Sequence, residues 1–69
     1  MPLSKYGYHD IKQKTELARH RALLKALREG ESGIRIFRKL ARLSTIYKYK
    51  DPKLSTKFKR DRDWMRKHI

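Results

Sequence analysis

The sequence has no cysteine, two prolines, three glycines and seven acidic residues against twenty Lys and Arg. Without cysteine there is no disulfide staple of the kind small secreted domains use, and no thiolate zinc site. An intracellular or intravirion setting is expected. Long apolar runs are also missing. Even six consecutive apolar residues occur nowhere, and Met1 to Tyr8 carries no signal-peptide-like stretch, so a membrane-crossing chain is not expected. The shortage of acid leaves a formal net charge of +13 and a pI near 10.5. Such a chain repels itself when compact. That excess points to a partner that supplies the negative charge: a nucleic acid, an anionic membrane surface or an acidic protein surface.

With 69 residues the chain makes one domain with a thin core. The few glycines and prolines act as punctuation: Pro2, Gly7, Gly30 with Gly33, and Pro52 separate an N-terminal tail, residues 1–9, from three segments of a single basic domain, residues 10–69. Asp10 with Gln13 three residues later resembles a capping box, and good helix formers follow until Gly30. A helix is expected over residues 10–29. Ser32 can cap a second over residues 34–47, and Asp51-Pro52 pairs a cap with a first-turn proline for a third over residues 52–68. The fold class is therefore all-α, a small three-helix domain, with helices two and three adjacent because Lys48 to Lys50 is short.

At about 100° of rotation per residue the helices separate apolar from basic faces. Helix one gathers Leu17, Leu23, Leu24 and Leu27 beside a column of Lys14, Arg21, Lys25 and Arg28. Helix two sets Phe37, Leu40, Leu43 and Tyr47, flanked by Ile36 and Ala41, opposite Arg35, Arg38, Lys39 and Arg42. Helix three sets Leu54, Phe58, Met65 and Ile69 away from Lys59, Arg60, Arg66 and Lys67. Solvated helix faces ordinarily mix both signs, but no acid lies between Glu31 and Asp51. These twelve cations are the candidate phosphate-binding residues, each releasing counterions where it neutralises a phosphate.

Other residues offer less chemistry. His9, His20 and His68 are scattered, so no metal site and no cofactor is expected. His9-Asp10 reads as a helix cap rather than part of a catalytic triad, and no nucleophile with a base is found, so the protein is expected not to be an enzyme. Asp61 falls on helix three's apolar face between Phe58 and Met65, where an Arg from another helix would be its natural partner. Tyr6, Tyr8, Tyr47 and Tyr49 could stack on bases, but loop-locking against a thin core is the more ordinary use, and the same holds for Trp64.

Laid out in this way, Tyr6-Gly7-Tyr8-His9-Asp10-Ile11, Ala18-Arg19-His20-Arg21-Ala22-Leu23, Phe37-Arg38-Lys39-Leu40, Asp51-Pro52-Lys53-Leu54 and Phe58-Lys59-Arg60-Asp61-Arg62-Asp63-Trp64 resemble a family of short basic proteins of unassigned function encoded by giant viruses, the nucleocytoplasmic large DNA viruses. The resemblance implies a setting with a large DNA genome to compact, in the virion or at the site of viral DNA in the host nucleus or a cytoplasmic factory. The expected function is largely sequence-independent binding of nucleic acid, double-stranded DNA first, for genome condensation or packaging. A structural component of a capsid or ribonucleoprotein assembly is the rival reading. A helix-turn-helix regulator is a variant, weakened because Ile34 to Ile46 offers only Ser44 and Thr45 to read base edges. Self-association through unfilled apolar stripes is open.

Overall fold

A computed structural model describes residues 3–69, with Met1 and Pro2 outside the described part. It is the expected small three-helix domain: a 3-10 turn at Leu3–Tyr6 precedes helices α1 (Glu16–Arg28), α2 (Gly33–Ile46) and α3 (Pro52–Arg66). There is no strand among the described residues.

Helix α1 begins later than the sequence suggested. Asp10 has φ 50°, outside the extended region that an N-cap adopts, and its carboxylate faces the His9 ring at 3.0 Å. The Asp10 carbonyl closes a turn by accepting from the amides of Gln13 (2.9 Å) and Lys14 (3.1 Å). The cap is Thr15, whose hydroxyl accepts from the Ala18 amide at 3.2 Å. The far end matches the sequence: Gly30, at φ 96°, lets the Glu31 amide reach the Ala26 carbonyl and its own amide reach that of Leu27, both at 3.1 Å, a Schellman stop.

Ser32 caps α2 by accepting from the Arg35 amide (3.4 Å), and Asp51 caps α3 by accepting from that of Leu54 (3.3 Å). Asp51 also pairs with the Lys12 ammonium. That hydrogen bond first, and the Leu54 amide second, hold the carboxyl below its ordinary range. A lowered carboxyl pKa stabilises the fold above the unfolded-state value and is lost as pH falls through the folded one. Accordingly, Asp51→Asn, which keeps a capping oxygen, should flatten the decline of melting temperature below about pH 4. Circular dichroism melts of both chains between pH 2 and 6 check this, and curves of identical slope would contradict it.

The core lies between the closely packed α2 and α3, with α1 set against α3 and the N-terminal turn. Leu23, Ala26, Ile36, Leu40 and Met65 are fully buried, with Ala22 and Phe58 beside them. The buried line of α1, Arg19, Ala22, Leu23 and Ala26, has the i, i+3, i+4, i+7 spacing of one helix face, and two alanines on it permit close approach. The expected leucine stripe holds only in part: Leu23 is on this line and half-buried Leu27 packs against the core, but Leu17 is 61% exposed and Leu24 is half-buried. Ile69, expected on the core side of α3, is exposed. Buried Ser44 and Ser55 join α2 to α3 beside their connection, where the Ser55 hydroxyl donates to the Ser44 carbonyl at 2.6 Å.

The described part of the N-terminal segment is also packed. Leu3, Tyr6, Tyr8 and Ile11 all join the core, so residues before α1 supply the bulk that three short helices lack.

Candidate nucleic-acid interface

The basic residues of α2 repeat at positions 35, 38, 39 and 42 because the buried Ile36, Leu40 and Ser44 occupy the opposite side. Arg35, Arg38 and Arg42 are exposed and Lys39 is half-buried. Together with Leu43 they line a shallow surface concavity of about 330 Å³. Arg35, Arg38 and Arg42 have no carboxylate within ion-pair distance among the described residues.

On α1, Arg21, Lys25 and Arg28 are exposed along one side, i, i+4 and i+7. Lys14 is not part of that column. It precedes the Thr15 cap, is half-buried, and presents its carbonyl to Arg19 Nη1 at 3.1 Å. On α3, Lys59 and Arg60 are exposed, as are Arg66 at its last residue and Lys67 at its C-cap. Arg60 faces Glu16 at 3.9 Å and Arg66 lies over the Phe37 ring, 5.5 Å from its centroid, so these two are partly engaged within the chain.

Six of the seven acids, all but Glu29, are engaged within the chain. Asp10 pairs with His9, Asp51 with Lys12, Asp61 with Arg19, Asp63 with Arg62, and Glu16 lies near Arg60 and His20, while Glu31 accepts from the Tyr6 hydroxyl at 2.9 Å. That bond, with burial, raises the Tyr6 pKa. Little acid is left to interleave with the cations of α1 and α2.

One cation goes to the interior instead. Arg19, only 3% exposed, donates from Nε to Asp61 Oδ2 at 2.8 Å, and Asp61 is fully buried. The Tyr8 hydroxyl donates to the same oxygen at 2.6 Å, and burial, with Asp61's charge next, pushes that hydroxyl far above its ordinary range. The arginine partner expected for Asp61 is therefore Arg19, which joins α1 to α3. The sequence reading passed over Arg19 because an arginine looks like surface. Its place three and four residues before Ala22 and Leu23 was the available signal.

The aromatic residues divide. Tyr6 and Tyr8 are buried, and Tyr47 packs near Phe58 at 5.9 Å between ring centroids, so these three lock chain segments onto the core. Trp64 lies between His20, stacked at 4.3 Å, and His68 at 4.2 Å. Tyr49 alone of the tyrosines stands in solvent, 86% exposed in the α2–α3 turn, with the Lys48 ammonium 5.5 Å from its ring centroid.

Fold and surface together define a small basic three-helix domain with cationic rows on its solvent-facing helix sides. The chain belongs to DUF5771, a family of unknown function, whose model matches residues 2–69. Neither the curated proteins nor the solved structures contain a significant match to it. No helix among the described residues is long and apolar enough to cross a membrane.

Proposed function

We propose that the protein is a non-enzymatic nucleic-acid-binding protein that neutralises phosphates with little preference for sequence. The observation that carries this reading is the row Arg35, Arg38 and Arg42 on the solvent face of α2, a helix with no acidic residue, in a chain whose net charge is +13. An arginine row without carboxylates is costly to the folded monomer through self-repulsion, and an anionic polymer relieves that cost while releasing its own counterions. Arg21, Lys25 and Arg28 on α1 extend the cationic surface, and Tyr49 adds a ring able to stack on a base. The molecule's long axis of 32 Å is close to one turn of duplex, about 34 Å. Double-stranded DNA is the polymer this reading favours. With the resemblance to giant-virus proteins, it becomes a genome-condensing role in the virion or at the site of viral DNA.

Gel shifts on a duplex of about 20 base pairs, run from low to physiological salt, test the reading. The logarithm of affinity should fall linearly with the logarithm of salt, with a slope of about −4 or steeper if five or more phosphates are contacted. Excess unrelated DNA should compete equally. A shallow slope would remove phosphate contacts as the main source of affinity, and resistance to unrelated competitor would favour the helix-turn-helix variant.

A further inference from the structure

Glu16 and His20 lie one helical turn apart on α1, and the fold brings Asp61 of α3 against them. One ligand atom from each, a carboxylate oxygen or a ring nitrogen, lies within 4.8 Å of the other two. His20 Nε2 is 3.3 Å from Asp61 Oδ1 and 4.0 Å from Glu16 Oε1. We propose that Glu16, His20 and Asp61 form a binding site for a divalent transition-metal ion of the zinc type, which fastens α1 to α3.

The strongest support comes from the buried atoms. His20 Nε2 and Asp61 Oδ1 are both cut off from solvent and face each other at 3.3 Å, and neither makes a hydrogen bond to any other group, although buried polar groups are ordinarily satisfied. Asp61 itself is fully buried. Its other oxygen, Oδ2, is already taken by Arg19 Nε and the Tyr8 hydroxyl, which fix the carboxylate and leave Oδ1 directed at the imidazole. Outer contacts of this sort orient carboxylate ligands in metal sites. The His20 ring is held in turn by its stack on Trp64. A tetrahedral ion with bonds of about 2.0–2.2 Å to nitrogen and oxygen places its ligand atoms about 3.4 Å apart, which is the separation found between His20 Nε2 and Asp61 Oδ1. Glu16 is the looser member. Its side chain is 47% exposed, so it can close the remaining distance, and the solvent side leaves the fourth position to water.

The donor set of one imidazole and two carboxylates selects Zn²⁺ or Co²⁺ over Mg²⁺ or Ca²⁺, which prefer all-oxygen shells. Arg19 beside Asp61 and the overall positive charge oppose a dication. Affinity is therefore expected to be moderate. The helical pair at i and i+4 was visible in the sequence, but its third member comes from a distant helix and only the fold supplies it.

The full-length chain, stripped with chelator, is titrated with Zn²⁺ at neutral pH while thermal unfolding is followed by circular dichroism. The melting temperature should rise by about 5 °C or more at saturation. Co²⁺ should give visible absorption of tetrahedral intensity that Zn²⁺ displaces. Glu16→Gln, at a partly exposed position that leaves the core untouched, should weaken Zn²⁺ binding at least tenfold, and His20→Gln should abolish the Co²⁺ spectrum. The proposal is overturned if neither ion changes stability or absorption. It is equally overturned if both variants, folded by circular dichroism, respond as the parent does, which would move the ion to another site such as His9–Asp10.

Discussion

Asp61→Ala should destabilise the protein by about 3–5 kcal/mol, because it leaves the Arg19 guanidinium buried without a counter-charge. Typical stabilities correspond to about 3–10 kcal/mol for a domain of this length, so the variant should be largely unfolded or melt far below the parent. Two further substitutions separate charge from shape. Asp61→Asn keeps the size of the side chain and an acceptor for Tyr8 and Arg19 but removes the charge, and should cost less than alanine. Arg19→Met combined with Asp61→Leu removes both ions and should recover much of the loss, since buried ion pairs exchanged for packed apolar groups are often neutral. The Tyr8 hydroxyl, left without its acceptor, limits that recovery, and adding Tyr8→Phe to the pair should improve it. Urea unfolding followed by circular dichroism, with chelator present so that no metal contributes, measures all of these. If Asp61→Asn unfolds at the parent's urea midpoint, the Arg19–Asp61 pair is not what joins α1 to α3.

This buried pair also shows where the sequence could be read and where it could not. Local signals were legible because their chemistry is local. Ser32 and Asp51 cap the helices they were expected to cap, Gly30 ends α1, and the short connection at Lys48 to Lys50 sets α2 beside α3. The start of α1 was misread because Asp10 and Thr15 both have capping chemistry, and a left-handed φ at Asp10 has no signature in residue type alone. The core face of α1 was misread for a different reason. Leucines attract attention, yet of them only Leu23 is buried, beside Ala22, Ala26 and Arg19, and an arginine is placed in a core only by a carboxylate that arrives from another helix. The same long-range arrival hides the Glu16, His20 and Asp61 cluster. Of the candidate phosphate-binding residues, position on a helix face was enough to put Arg21, Lys25, Arg28, Arg35, Arg38, Arg42, Lys59, Arg60, Arg66 and Lys67 at the exposed surface. It was not enough for Lys14, whose backbone carbonyl is used to hold Arg19, or for Lys39, which is half-buried.

Replacing Arg35, Arg38 and Arg42 together by Gln should lower duplex affinity about a hundredfold at physiological salt. Each lost phosphate contact removes about 0.9 from the salt slope, and at about 0.15 M salt that is worth roughly a factor of five in affinity per contact. Three contacts therefore reduce the slope by about 2.7. Stability should hold or rise, because all three side chains are exposed, none pairs with a carboxylate among the described residues, and self-repulsion falls. Lys39 is left unchanged because it is half-buried and its contacts within the chain would confuse a binding loss with a folding loss. The matching triple on α1, Arg21, Lys25 and Arg28 to Gln, tells whether one face or two meets the polymer. A slope reduced in the α2 triple alone places a single row on the phosphates, whereas reductions that add across the two triples require a polymer that touches both helices. A slope unchanged in the α2 triple would sink the interface proposed for that helix even if the protein bound DNA by other residues. Binding that persisted in both triples, with little response to salt, would turn attention to an acidic protein surface, the rival that the same charge also permits.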